Sequence, residues 1–76
     1  MNLARKKQIA ALTLELDALR TKFETLRDEE QEAYDNMPES LQSSDRGTQS
    51  ETWCDALDTV VINLEDSMFE LERASE

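Results

Sequence analysis

Apolar residues recur every three or four positions along two segments of the sequence, and these two runs constrain the fold more than any other feature. The first run comprises Ile9, Leu12, Leu16, Leu19, Phe23 and Leu26. Its spacing places one apolar stripe along an α-helix, which we expect to cover about residues 3–35. A helix of that length is about 50 Å long. Such a rod cannot enclose a core by itself and needs a partner alongside it.

The C-terminal half repeats the same spacing. The second run comprises Cys54, Leu57, Val61, Leu64, Met68 and Leu71. Trp53 and Val60 widen the same face. A threonine followed three residues later by a glutamate, at Thr48 and Glu51, forms a capping box that marks the start of this helix. Ser44 is a competing cap one turn earlier.

The only proline and the only glycine lie between the two runs. The residue before Pro38 is disfavoured in the α conformation, so the first helix should end just before it. The segment PESLQ predicts one short helical turn with Leu41 folded inward, and the serine-rich segment up to Gly47 predicts a turn. We therefore expect a structured connection over 36–48 and a second helix over about 49–73.

These elements define the expected fold class, which is all-α. Residues 1–76 should form a single domain, a long antiparallel two-helix hairpin of the coiled-coil type. A chain this short, with only four aromatic residues, has little core of its own. We therefore expect two hairpins to associate into a four-helix bundle, giving a homo-oligomer, most simply a dimer.

The net charge of −10 is concentrated in the C-terminal two thirds of the chain. Residues 1–27 carry six basic and three acidic side chains, residues 28–50 one and seven, and residues 51–76 one and eight. Phosphates repel such a chain, so we expect no direct nucleic-acid binding. No stretch approaches the ~18 apolar residues that span a bilayer, so we expect no membrane partner. The single cysteine, Cys54, cannot form an intramolecular disulfide, which fits a cytoplasmic location.

The residue types that usually carry catalysis are scarce. The sequence has no histidine, which removes the commonest general base and the commonest transition-metal ligand. Cys54 lies in the second apolar run with no histidine to activate it, and we interpret it as a small core residue. No inward-facing Glu-x-x-His pair, calcium loop or Gly-rich phosphate loop can be written. We therefore expect no enzyme activity, no metal and no cofactor.

An acidic flank of the second helix is the candidate partner-binding site. Ile62 and Phe69 lie seven residues apart, about 90° around the helix from the main apolar run, and acids surround them. The predicted partner-binding residues are Asp55, Asp58, Ile62, Glu65, Asp66, Phe69 and Glu72. Apolar anchors within a charged rim are typical of protein–protein interfaces. Two other interpretations stay open: the two apolar residues widen a dimer interface, or the acids only keep the surface solvated.

The segment EEQEAYDNMPESLQSSDRG, followed by CDALDTVVINLEDSMFELE, resembles a group of small uncharacterised proteins from phages, prophages and other bacterial mobile elements. The resemblance covers about residues 29–72, and its most specific part is DNMPE followed by LQ. Trp53 and Cys54 depart from the group, whose members carry small or acidic helix formers there. The resemblance implies origin more than mechanism: small phage proteins often modulate or inhibit host machinery, anti-defence proteins included.

The expected function is therefore non-enzymatic: a small acidic protein-binding module that modulates or inhibits a host protein in the host cytoplasm. The first alternative is a purely structural, self-associating coiled-coil protein with no foreign partner. The second is a nucleic-acid mimic, whose carboxylates replace phosphates in the basic groove of a DNA- or RNA-binding protein. A steep loss of binding as salt rises would indicate a mimic.

Overall fold

The computed structural model describes all 76 residues and contains three helices and no strand. The two long helices are α1 at Leu3–Asp35 and α3 at Asp45–Ala74, and a short helix, α2 at Glu39–Gln42, lies in the connection between them. The long helices pack side by side in opposite directions. The predicted all-α class and antiparallel hairpin are confirmed.

The hairpin is a rod and not a globule. Its principal dimensions are 58 × 15 × 15 Å, and its Cα radius of gyration is 17.2 Å. A compact domain of this length would have a radius of gyration of about 11 Å. Only four of the 76 residues are buried. The two helices therefore share one narrow seam and leave most of their surfaces exposed.

α3 packs on α1 through residues spaced alternately three and four apart. The seam contains the buried Gly47, Ser50, Cys54 and Val61 and the half-buried Leu57, Leu64, Met68 and Leu71. Val61 is the most buried, at 2% exposed. This is the predicted run, extended by two residues at its N-terminal end. An average spacing of 3.5 residues keeps one helix face toward the partner helix along the whole rod.

The face of α1 that packs on α3 differs from the predicted stripe. Its shielded residues are Ile9, Thr13, Leu16, Arg20, Phe23, Glu24, Arg27, Glu30 and Tyr34. Leu12, Leu19 and Leu26 belong to the predicted run but are 56%, 45% and 51% exposed. Long polar side chains such as Arg20 and Arg27 can line a seam because their aliphatic stems pack while their charged heads reach solvent. The apolar run of α1 therefore contains two faces, one inside the hairpin and one outside it.

Both ends of α1 are fixed by side-chain hydrogen bonds. At the N-terminus, the Asn2 side chain accepts a hydrogen bond from the Arg5 amide at 2.8 Å, as an N-cap does. At the C-terminus, the Gln42 side-chain amide donates to the Tyr34 carbonyl oxygen at 3.0 Å. The same carbonyl oxygen also accepts from the Met37 amide at 3.0 Å, so the Gln42 bond is an additional contact that holds α2 against the end of the helix. The chain turns at Pro38, as predicted.

The structure corrects the prediction for Gly47, which lies inside the first turn of α3 and not in a turn before it. The helix begins at Asp45 with Ser44 as its N-cap, so Thr48 is an internal residue whose amide donates to the Ser44 carbonyl oxygen at 3.0 Å. A Cβ on Gly47 would lie 2.5 Å from the Leu41 carbonyl oxygen. Glycine is required here for close backbone approach, because no residue has a positive φ. Leu41 itself, predicted to fold inward, is 40% exposed.

Candidate protein-binding surfaces

The seven residues predicted to bind a partner lie on one exposed face of α3, beside the seam. We call this surface the acidic face, and its members are Asp55, Asp58, Ile62, Glu65, Asp66, Phe69 and Glu72. Ile62 and Phe69 are 50% and 61% exposed, so the hairpin does not cover either side chain. Two exposed apolar side chains ringed by carboxylates have the arrangement of interface anchors within a polar rim.

One carboxylate of the acidic face is held by the other long helix. The Arg27 guanidinium donates to the Asp58 carboxylate at 2.9 Å, and the two side chains are 29% and 55% exposed. A pair this exposed contributes little stability, but it fixes the acidic face relative to α1. The other four acids of the face form no salt bridge within the chain. Their charge stays available to a basic partner.

A groove lies beside the acidic face at the open end of the hairpin, near the two chain termini. It has a volume of about 640 Å³, and both long helices line it. Its walls include Ala10 and Leu14 from α1 and Met68 and Glu72 from α3. Phe69 does not line the groove, but it lies one turn before the lining residue Glu72 on the same helix. The acidic face is therefore continuous with an apolar groove, and Glu72 belongs to both.

Two side-chain hydrogen bonds join the long helices near the connection over residues 36–44, which we call the corner. The Ser50 hydroxyl donates to the Glu30 carboxylate at 2.7 Å, and the Tyr34 hydroxyl donates to the Glu51 carboxylate. The bond to Glu51 raises the pKa of Tyr34 above its ordinary value, because the carboxylate stabilises the protonated phenol. Sequence periodicity does not predict these contacts, although Ser50 lies four residues before Cys54, in register with the apolar run.

A second exposed surface, which apolar spacing alone does not separate from the seam, follows the other side of the hairpin. Arg27 and Asp58 pair on one side. Leu26 and Trp53 lie on the opposite edges of their helices' seams, so both face the other side. We call this surface the apolar flank, and its members are Leu12, Leu19, Leu26, Trp53 and Val60. Trp53 is 57% exposed, so it lies beside the seam and not in it.

A groove opens between the two helices in the apolar flank. It has a volume of about 360 Å³ and lies in the half of the rod near the chain termini. Its lining residues are Ile9, Leu12, Glu15, Leu16, Leu19 and Leu71. We call it the leucine groove. The repeat of seven residues does not separate this flank from the seam, because Ile9, Leu16 and Phe23 of the seam share it.

The structure offers little reactive chemistry at the buried cysteine. Cys54 is 8% exposed and lies in the seam. Burial, with smaller contributions from nearby carboxylates, raises the pKa of the Cys54 thiol. The thiol therefore stays protonated at neutral pH, and only the thiolate is a nucleophile. The structure has no group of three or more histidine, cysteine, aspartate or glutamate side chains placed to hold a metal ion.

Comparisons with protein-family models, with curated proteins and with solved structures found no significant match to this chain. None of the three helices combines the length and the apolar character needed to cross a membrane. The function proposed for this chain therefore rests on its own sequence and on the surfaces that its residues form.

Proposed function

We propose that this chain is a non-enzymatic protein-binding module that uses its acidic face to bind a basic, partly apolar segment of another protein. The observation that carries this proposal is the exposure of Ile62 and Phe69 among five carboxylates, of which the chain itself pairs only Asp58. Burying the apolar anchors in the interface stabilises the complex, while the surrounding charges set the orientation of the partner and the association rate.

The groove beside Phe69 favours a helical ligand. An amphipathic helix can place its apolar side chains between Leu14 and Met68 while its lysines or arginines meet Asp66 and Glu72. Leu14 is 73% exposed and offers the partner a second anchor across the groove from Phe69. This mode of binding uses the acidic face and the groove together.

The partner we propose is a host protein. The support is the resemblance of residues 29–72 to small proteins of phages and bacterial mobile elements. On this proposal the chain acts in the host cytoplasm as a modulator or inhibitor, possessing no chemistry of its own, and an anti-defence role belongs to the same class. Its strong negative charge selects a basic surface on the host protein.

A nucleic-acid mimic is the second candidate, and the distribution of acids along a 58 Å rod favours it. Such a mimic would bind mainly through long-range attraction between charges. Salt screens that attraction over a Debye length of about 8 Å at physiological ionic strength. The purely structural, self-associating protein is the third candidate, and it would have no foreign partner at all.

Affinity capture from a bacterial lysate separates these candidates. The full chain should retain a basic protein in both low and high salt, and Phe69→Ala should reduce the amount retained at least tenfold. Leu41→Ala is the matched control, because it removes an exposed leucine far from the acidic face, and it should leave capture unchanged. Capture that salt abolishes but Phe69→Ala leaves intact would support the mimic. An empty capture would contradict the proposal and favour self-association.

A further inference from the structure

The apolar flank belongs to a molecule with more surface than a monomer of its mass usually exposes. The chain exposes 5978 Å², whereas a compact protein of 8.7 kDa would expose about 4,700 Å². The excess of about 1,200 Å² is larger than the ~800 Å² that each partner buries in a standard interface. The four largest side chains of the flank, Leu12, Leu19, Leu26 and Trp53, are all between 45% and 57% exposed.

Charge distinguishes the apolar flank from the acidic face. The charged residues that border the flank along the two helices are Arg5, Glu15, Lys22, Glu29, Arg46 and Glu70. Three are basic and three are acidic, so this side is neutral in a chain whose net charge is −10. Two copies can therefore meet through the flank without the repulsion that two acidic faces would impose. A second copy of this chain is the occupant that fits.

The flank has a projection in one half and a groove in the other. In the register set by the Arg27–Asp58 pair, Trp53 projects from the half near the corner. The leucine groove opens in the half near the chain termini. Val60 lies midway between them along the rod. Because Trp53 and the leucine groove lie at equal distances from this midpoint, two copies that run in opposite directions place Trp53 of each opposite the leucine groove of the other.

We propose that a second copy of this chain covers the apolar flank in the opposite direction, so that Trp53 of each copy fills the leucine groove of the other. A two-fold axis perpendicular to the rod passes beside Val60 and brings Leu19 of one copy next to Leu26 of the other. The product is a four-helix bundle with its acidic faces turned outward. Copies running in the same direction would leave both leucine grooves empty, and voids of that size are costly in packed cores.

Analytical ultracentrifugation tests the interface. At about 100 µM the chain should sediment with twice its 8.7 kDa mass. Complexes with an interface of standard size commonly have dissociation constants well below that concentration. Leu19→Glu should raise the dimer dissociation constant at least a hundredfold, since it buries a charge. Ala18→Glu is the matched control: the neighbouring residue is exposed on the outer side of α1, and the dimer should persist. A monomeric wild-type chain, or equal effects of the two substitutions, would overturn the proposal.

The direction of the two copies has its own test. A nitroxide label on Ser40→Cys, in a Cys54→Ala background, marks the corner of each hairpin. Pulsed dipolar spectroscopy should give a label separation of about 50 Å for opposite directions, from the helical rise along the rod. A separation under about 25 Å would mean that the copies run in the same direction. The fluorescence of Trp53, the only tryptophan, should shift to longer wavelength on dilution, as the dimer dissociates and the side chain enters water. An emission wavelength that does not change on dilution would contradict the binding of Trp53 in the leucine groove.

Discussion

Gly47→Ala should destabilise this protein, although the same change in an ordinary exposed helix is stabilising. Alanine is favoured over glycine in a helix interior by about 1 kcal/mol. At Gly47 the added Cβ would lie 2.5 Å from the Leu41 carbonyl oxygen and nearer still to the Gln42 carbonyl oxygen. Both neighbours are backbone atoms, so relief requires α2 to move away from α3. Overpacking of this kind costs about 1–3 kcal/mol, and more when the backbone has to shift.

The net expectation is a loss of about 1–2 kcal/mol, which lowers the melting temperature by roughly 5–15 °C for a chain of this size. Thermal unfolding followed by far-UV circular dichroism at one fixed protein concentration measures it, because self-association makes the melting temperature depend on concentration. Thr48→Ala is the control, since Thr48 is the exposed next residue of the same turn, and it should change the melting temperature by only a degree or two. A Gly47→Ala chain that melts at or above the wild-type temperature would refute the close approach of α2 and α3.

Val61, Tyr34 and Cys54 each contribute to the seam or the corner in a way that a single substitution or reagent can measure. Val61→Ala should cost about 2 kcal/mol in urea unfolding, since Val61 is 2% exposed, whereas Leu14→Ala at 73% exposed should change stability by less than about 0.5 kcal/mol; equal costs would contradict the assigned seam. Tyr34→Phe should lower stability at neutral pH, and the difference should vanish in alkali: the folded pKa of Tyr34 is raised above its ordinary value of 10.0, so its contribution is complete below that pH and is lost as pH rises through the folded pKa. A stability difference independent of pH would contradict the bond to Glu51. Cys54 should react with a thiol reagent slowly in the native chain and rapidly in urea, because burial raises its pKa and blocks access; rapid native reaction would place it outside the seam.

The fold could be predicted from the sequence because two apolar runs of coiled-coil period flank the only proline and glycine. The seam of α3 from Cys54 onward follows from its spacing alone. The seam of α1 does not, because apolar pattern cannot tell a leucine facing the other helix from one facing outward. Arg27 lines the seam through its stem while Leu19 stays outside, and hydropathy alone ranks these two residues the wrong way round.

The corner shows the same limit at short range. A serine-rich sequence with a glycine is typical of a turn, yet Gly47 lies in a helix. Glycine is needed there because the backbone of α2 passes so close that a Cβ would clash with it. That close approach is a tertiary contact with no local signature. By contrast, the residues of the acidic face share one side of α3 because helical geometry alone places them there, and their exposure follows from their position outside the seam.

We propose that the two exposed surfaces act separately: the apolar flank holds two copies together, and the acidic face binds a partner. The most direct test compares Leu19→Glu and Phe69→Glu in one experiment with two readouts, the mass in solution and the retention of the captured partner. Leu19→Glu should abolish the dimer and keep the partner, and Phe69→Glu should abolish the partner and keep the dimer. If Phe69→Glu dissociates the dimer, the acidic face is part of the self-association interface and the account is contradicted.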